Sequence, residues 1–283
     1  MLADLVRLVQ FTYSGGLQMA EDISNWQGYL IAEEDSTIII KSRFVIDHVH
    51  VFGPDSDFTT LAISALEYLG TIHTINSISV DSSINQEVLQ ACGYSIDEEA
   101  EWSILCHSLS AELCLTKNSY VDIELTGDEI DPEFVKNIQN AWIEEGSSVS
   151  QGAYVSKQSY DISSSSRMNL TAQQIDGENI WPPRESIEEE KTTLKKNLNK
   201  SGNIISWTKL AAGGAPSEFS IRAPLLGGIS TVLVNLDDGP NGVFLLADDN
   251  TGKVEIGTKV GLVLRKIYAQ DNYVKYGLKA ITE

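Results

Sequence analysis

Residues 201–283 set the rhythm that most limits what this chain can fold into. IISWTKLA, STVLVNLDDGPNGVFLLADD, KVGLVLRKIYA and YVKYGLKAI are short runs rich in β-branched and aromatic residues, each ended by turn residues. Asp238-Gly239-Pro240-Asn241-Gly242 is a hairpin signal, because Gly and Asn accept the positive φ angles of tight turns. Four or five strands with little helix predict a small β-barrel.

The first half reads differently. Ile38-Ile39-Ile40 and Val45–Phe52 are strand-like. GPDSD at 53–57 offers N-caps for a helix through TTLAISALEYL, in which Leu61, Ala65, Leu66 and Leu69 share a face and Gly70 stands as C-cap. Ile75–Val80 is a β-rich run, and residues 84–92 form a short helix closed by Gly93. Asp131-Pro132-Glu133 starts another helix, with Phe134, Ile138 and Trp142 on one stripe. Alternation of this kind predicts an α/β layer domain. Between the halves, residues 146–170 are rich in serine and without a sustained apolar period, which reads as a linker.

Charge divides the same way. Residues 1–150 hold 5 Lys/Arg against 25 Asp/Glu, whereas 151–283 hold 15 of each; the whole chain carries −20. The acidic half repels phosphates, so nucleic acid is not expected as a partner. No apolar run reaches the roughly 20 residues of a membrane helix. The opening MLADLVRLVQF has neither a basic n-region nor a small-residue cleavage site, so no signal peptide is expected. Three cysteines, Cys92, Cys106 and Cys114, make no disulfide framework, and a reducing cytoplasm is the expected compartment. Local basic clusters at Lys195-Lys196, Lys200 and Arg265-Lys266 are candidates for a phosphorylated ligand.

QQIDGENIWPPRESIEEE, SGNIISWT, VNLDDGP, KVEIGTKVGLVL and YVKYGLKAI, in this order over about 110 residues, resemble the acyl-CoA-associated proteins that join a rubredoxin-like zinc ribbon to an OB-fold. The resemblance implies a ribbon at 171–200 and an OB-fold domain at 201–283. It puts Gln173, Asp176, Ile187 and Glu190 where the family has its four zinc cysteines, with Gly177 still following the first knuckle. Isoleucine is no ligand, and amide or carboxylate oxygens suit a soft tetrahedral site poorly, so no structural zinc is expected. Packing around Ile180, Trp181 and Ile187 would then have to hold the ribbon. The resemblance further implies an accessory role beside a thiolase-fold or hydratase enzyme, in contact with the CoA part of its substrate.

FVIDHVHVFGPDSDFTTLAISALEYL resembles the early segment of 3-hydroxy-3-methylglutaryl-CoA (HMG-CoA) synthases. EWSILCHSLSAEL at 101–113 is similar to their nucleophile segment, and SVDSSINQ at 79–86 to the segment of their catalytic glutamate. This implies a truncated thiolase-like domain over 1–145, with Cys106 as acyl-accepting nucleophile and Asp81 as acid–base group. A cysteine at a helix N-terminus beside a base attacks a thioester, and backbone N–H groups stabilise the oxyanion. The second half of such an enzyme, which supplies His and Asn, has no counterpart here: His48, His50, His73 and His107 all precede the linker. The residues alone also fit a core cysteine between Leu105 and Leu109, a turn or cap at Asp81, and surface or ladder histidines.

The reading that follows is a non-catalytic accessory or scaffold subunit. It binds or channels a coenzyme A thioester for a thiolase or HMG-CoA-synthase-type partner, or self-associates, and carries no bound cofactor or metal. The alternative is a minimal acyl-CoA transferase or condensing enzyme using Cys106 and Asp81.

Overall fold

The computed structural model describes residues 23–34, 36–148, 157–183 and 194–283. The opening segment, Ile187, Glu190 and residues 149–156 of the serine-rich stretch lie outside them. The chain divides into two compact units: one runs up to Gln90 and includes Tyr94–Pro132, the other comprises Ala91–Gly93 and Glu133–Glu283.

The first unit is mixed α/β. Its elements are β1 (Ile23–Trp26), β2 (Tyr29–Glu34), β3 (Thr37–Ser42), β4 (Phe44–Ile46), β5 (Val49–Val51), α1 (Phe58–Ile72), β6 (Ile78–Val80), α2 (Gln86–Ala91), β7 (Trp102–Cys106), β8 (Glu112–Thr116) and β9 (Asp128–Glu129). One sheet runs β1-β2-β3-β8-β7-β6. Its pairs are antiparallel except β6 beside β7. A second, small sheet runs β5-β4-β9. The two central strands, β3 and β8, are buried at every position.

Helix α1 starts as its sequence predicts. The Asp57 side chain accepts from the Thr60 N–H, and the Thr60 hydroxyl accepts from the Asp57 N–H, a reciprocal cap that satisfies two orphan donors. Burial extends beyond the expected stripe of Leu61, Ala65, Leu66 and Leu69, because Thr59, Thr60, Ala62, Ile63 and Ser64 are buried too. The helix also runs through Gly70, the expected C-cap. His73 takes that place, its N–H donating to the Leu69 carbonyl. Burial of Leu66 and Leu69 outweighs the roughly 1 kcal/mol that a helical glycine costs.

The nucleophile-like segment 101–113 is not a helix start. It is an antiparallel hairpin, β7 paired with β8 and turning at 107–111. Trp102 and Ile104 alternate inward along β7, a period of two that a helix cannot keep.

The second unit contains α3 (Pro132–Ser148), α4 (Lys157–Met168), β10 (Thr171–Ile175), β11 (Glu178–Ile180), β12 (Leu194–Asn197), β13 (Ser201–Leu210), α5 (Arg222–Leu225), β14 (Ile229–Leu236), β15 (Asn241–Leu246), β16 (Lys259–Gln270) and β17 (Tyr273–Thr282). The last five strands close into a barrel in the order β13-β14-β15-β17-β16, with β16 returning to β13. All pairs are antiparallel except β15 beside β17. This is an OB-like barrel. Gly202 sits at the closure, facing Leu236 on one side and Val260 on the other. A Cβ there would run into the Asn235 carbonyl.

Where the serine-rich stretch reads as linker, the structure has α4. Tertiary anchoring overrides local preference here. The Tyr160 hydroxyl donates to the Tyr276 carbonyl and accepts from the Tyr276 N–H, and Met168 is buried. Ser164 and Ser166 turn their hydroxyls back onto the carbonyls of Asp161 and Ser163, which removes their competition with the helix.

The ribbon segment is a three-stranded sheet, β11-β10-β12. Leu170, Ala172 and Leu198 belong to the same core as Ile204, Val234 and Phe244 of the barrel, and Trp181 packs against it. Of the residues expected to hold the ribbon, Trp181 packs against that core and Ile187 lies outside the described residues. Among the described residues no helix is long and apolar enough to cross a membrane.

Candidate functional site

Candidate residues lie in three places: the end of β7, the basic positions of β12 and the barrel, and the aromatic face of the barrel.

Cys106 ends β7, and Asp81 follows β6, the parallel neighbour of β7. The Asp81 N–H donates to the Ile104 carbonyl, and its carboxylate accepts from the Ser83 N–H at 2.8 Å, an Asx turn. The two residues are therefore neighbours, but their electrostatics run against a thiolate. Burial, and then the Asp81 carboxylate, push the Cys106 thiol up to about 12. A helix dipole that would offset this is missing, because the segment is a strand. Cys114 is fully buried with Ala32, Ile39 and Ile123, and its thiol too is raised by burial. Cys92 lies 3.9 Å from the Met168 sulfur.

The histidines are occupied elsewhere. His107 Nδ1 accepts from the Leu109 N–H. His50 is buried with Nδ1 2.6 Å from the Ser42 carbonyl and Nε2 3.1 Å from the Leu125 carbonyl. His48 is exposed in the tight turn between β4 and β5, with φ of 66°. His73 caps α1 with its ring 5.8 Å from Trp102. No cluster of three His, Cys, Asp or Glu side chains is placed to hold a metal ion among the described residues. Gln173 is buried in the ladder between Ile180 and Lys195, and Asp176 and Gly177 make a left-handed hairpin turn. Ile187 and Glu190, the other two positions of that set, lie outside the described residues.

The basic positions are dispersed. Lys195 is exposed on β12. Lys196 pairs with Asp238 at 2.9 Å, and the same carboxylate accepts from the Asn199 N–H. Those two contacts, the backbone one first, hold the Asp238 carboxyl low. Lys200 is half-buried in the turn before β13. Arg265 is fully buried, 3.8 Å from Asp249, with Nη1 donating to the Leu264 carbonyl. Lys266 sits over the Trp142 ring at 4.5 Å. Arg265 and Lys266 thus serve the interior and the α3 seam.

Two constellations had no reading from sequence. The first is a buried ion web. Arg222 Nε donates to Glu145 at 2.6 Å, its Nη1 to Asp248 and its Nη2 to the Ile267 carbonyl. Its guanidinium stacks on Trp142 at 3.6 Å, and Lys279 donates to the other oxygen of Asp248. The available signal was Glu145 on the stripe of Ile138 and Trp142, a carboxylate on a face meant for burial. The second is a cavity of about 220 Å³ bounded by α4, Trp181 and the barrel strands β15, β16 and β17. Trp181 and Phe244 stack there, 5.3 Å between centroids. A spacing of tyrosines 160, 268 and 276 carries no period that sequence alone could read.

No protein-family model matches the chain, and no curated protein matches it. Among solved structures, a chain of "Ltp2-ChsH2(DUF35) aldolase" is similar over 45% of this chain and 97% of that chain, at 16% identity and a TM-score of 0.32. A likeness this slight bears no weight for function.

Proposed function

We propose that this chain is an accessory subunit without chemistry of its own, which binds an acyl-CoA thioester for a thiolase-fold or HMG-CoA-synthase-type partner. The observation that carries the reading is the state of Cys106. The residue that the resemblance makes a nucleophile has a thiol pushed up to about 12, by burial first and by Asp81 second. At neutral pH that leaves its thiolate fraction about three orders of magnitude below that of an ordinary cysteine. The OB-like barrel with a ribbon packed onto its core supports the accessory role, in keeping with the motif series in the second half. Exposed Lys195 is the basic residue best free to meet a phosphate of the ligand.

The test has two arms. Incubation with radiolabelled acetyl-CoA is expected to leave Cys106 unlabelled, and iodoacetamide is expected to alkylate it far more slowly than a free thiol. Purification of the tagged chain from its native cells is expected to bring down a thiolase-fold enzyme in stoichiometric amount. A Cys106 thioester that disappears in Cys106→Ala would overturn the reading in favour of a condensing or transferase activity.

A further inference from the structure

The small sheet of the first unit, β5-β4-β9, is patterned inside out. Pairing sets Phe44 against Val51, Val45 against His50 and Ile46 against Val49. Side chains alternate across a sheet, so Phe44, Ile46, Val49 and Val51 share one face and Val45 and His50 the other. The inward face holds the one polar side chain of these two strands. Val45 and His50 are each 6% exposed, and the His50 ring meets the Ser42 and Leu125 carbonyls. The outward face is apolar: Val49 is 45% exposed, and Phe44, Ile46 and Val51 are half-buried. An antiparallel pair with one face on the core and one in water reads apolar-in and polar-out. Here two adjacent cross-strand rows reverse that order, which is more than the single hydrophobics any surface carries.

The charge around that face narrows what can cover it. Strand β9 runs beside β4 with Asp128 next to Phe44, and Asp47 stands in the turn between Ile46 and Val49. Both acids are exposed. Residues 23–132 as a whole hold 19 Asp/Glu against 3 Lys/Arg. Of those three cations, Lys41 and Lys117 pair with carboxylates, and Arg43 rests over the Phe44 ring at 4.7 Å. A second copy would set the same carboxylates against each other, which like-charge repulsion opposes. A surface whose apolar side chains are flanked by lysine or arginine answers both the uncovered valines and the acids beside them.

We propose that the outer face of β4 and β5 is a docking surface for a basic protein partner, one that lays apolar side chains on Ile46, Val49 and Val51 and sets lysine or arginine against Asp47 and Asp128. The surface does not depend on the state of Cys106, so it and the acyl-CoA reading can fail separately.

The probes are short synthetic peptides titrated into the full-length chain: one alternating leucine and lysine, one with serine in place of leucine, and one with glutamate in place of lysine. The readout is the methyl resonances of Ile46 and Val49, assigned by their loss in Ile46→Val and Val49→Thr. The leucine–lysine peptide is expected to move both saturably, the serine–lysine peptide to bind about tenfold more weakly, and the leucine–glutamate peptide to leave them in place. Val49→Lys is expected to remove the binding with little change in the thermal midpoint, because position 49 is exposed. Asp128→Asn is expected to weaken it several-fold. Resonances that do not move, or that move equally with the serine–lysine peptide, overturn the docking surface. Two further results would overturn the basic partner by naming another occupant. A dimer in sedimentation that Val49→Lys dissociates would give the face to a second copy. A sharp fall of the midpoint in Val49→Lys would mean that the chain covers the face itself.

Discussion

Lys41 and Arg222 are both buried cations facing a buried glutamate, one in each unit, and they are held in different ways. Lys41 lies across the β3–β8 ladder from Glu112 at 2.8 Å. Its second acid, Asp122, is 67% exposed. Arg222 keeps everything inside: Glu145 and Asp248 are 0% and 8% exposed, and a backbone carbonyl and an indole face complete its shell. The first arrangement is a pair near the end of the central ladder, and water still reaches its second acid. The second is a staple that joins α3, α5, β16 and β17. A buried charge is tolerable only while every partner stays in place, so the two sites should differ most in what a single deletion costs.

The staple should show the largest effect. Glu145→Ala leaves the Arg222 guanidinium buried without its closest partner, a loss of about 3–5 kcal/mol in the second unit. Urea denaturation is the measurement, with the midpoint falling sharply. The double change Glu145→Leu with Arg222→Met is expected to recover much of that loss, because an apolar replacement removes both charges together. If the double variant is as unstable as the single one, shape rather than charge holds this seam.

The pair in the first unit should show its character in pH. Burial pushes the Glu112 carboxyl up, but hydrogen bonds from Lys41 and Tyr120 outweigh it and hold the group below its ordinary value. A carboxyl depressed in the folded state contributes stability that is fully present above its unfolded pKa and is lost as pH falls through its folded one. The contribution of Glu112 should therefore be constant from neutral pH down to about 5 and be lost as the pH falls through and below the ordinary glutamate range. Glu112→Gln is expected to be less stable at pH 7 and to lose less than the unaltered chain on acidification to about pH 3. Unfolding midpoints at a series of pH values decide this; parallel curves would mean that Glu112 does not govern the acid limb.

How much of these two sites could be read in advance depends on where each residue lay in a period. The barrel strands were legible because apolar residues alternate along β14, β15 and β17 and Asp238-Gly239 marks the hairpin between the first two. Helix α1 was legible because Asp57 and Thr60 stand three apart before an apolar run. The ion web was not, since Arg222 meets Glu145 across 77 residues and Asp248 across 26. No local pattern encodes such a pairing. The α4 helix was hidden for a similar reason: its serines argue for coil, and the contact that orders it, Tyr160 with Tyr276, spans 116 residues. Cys106 shows the opposite error. The match to a nucleophile segment was local, a matter of a few residues on either side of Cys106. The strand that ends at Cys106 offers no helix dipole to activate the thiol.

The smallest expected effect is also the one that isolates exposure from charge. Asp122→Asn and Asp248→Asn each remove the charge of an acid bonded to a cation, at 2.8 Å from Lys41 and 3.2 Å from Arg222. Distances and chemistry are close; burial is not. Solvent and salt screen the Lys41–Asp122 pair, so Asp122→Asn should change the unfolding free energy by no more than about 0.5 kcal/mol and by less in high salt. Asp248 also accepts from Lys279, which is itself 1% exposed, so Asp248→Asn leaves two buried cations short of one charge. Its cost should be several times larger and nearly independent of salt. Measured side by side at low and high ionic strength, the two substitutions separate the units by burial and by the number of cations each acid serves. Equal costs would mean that water reaches the second web as freely as the first, and that the staple is no more closed than the pair in the first unit.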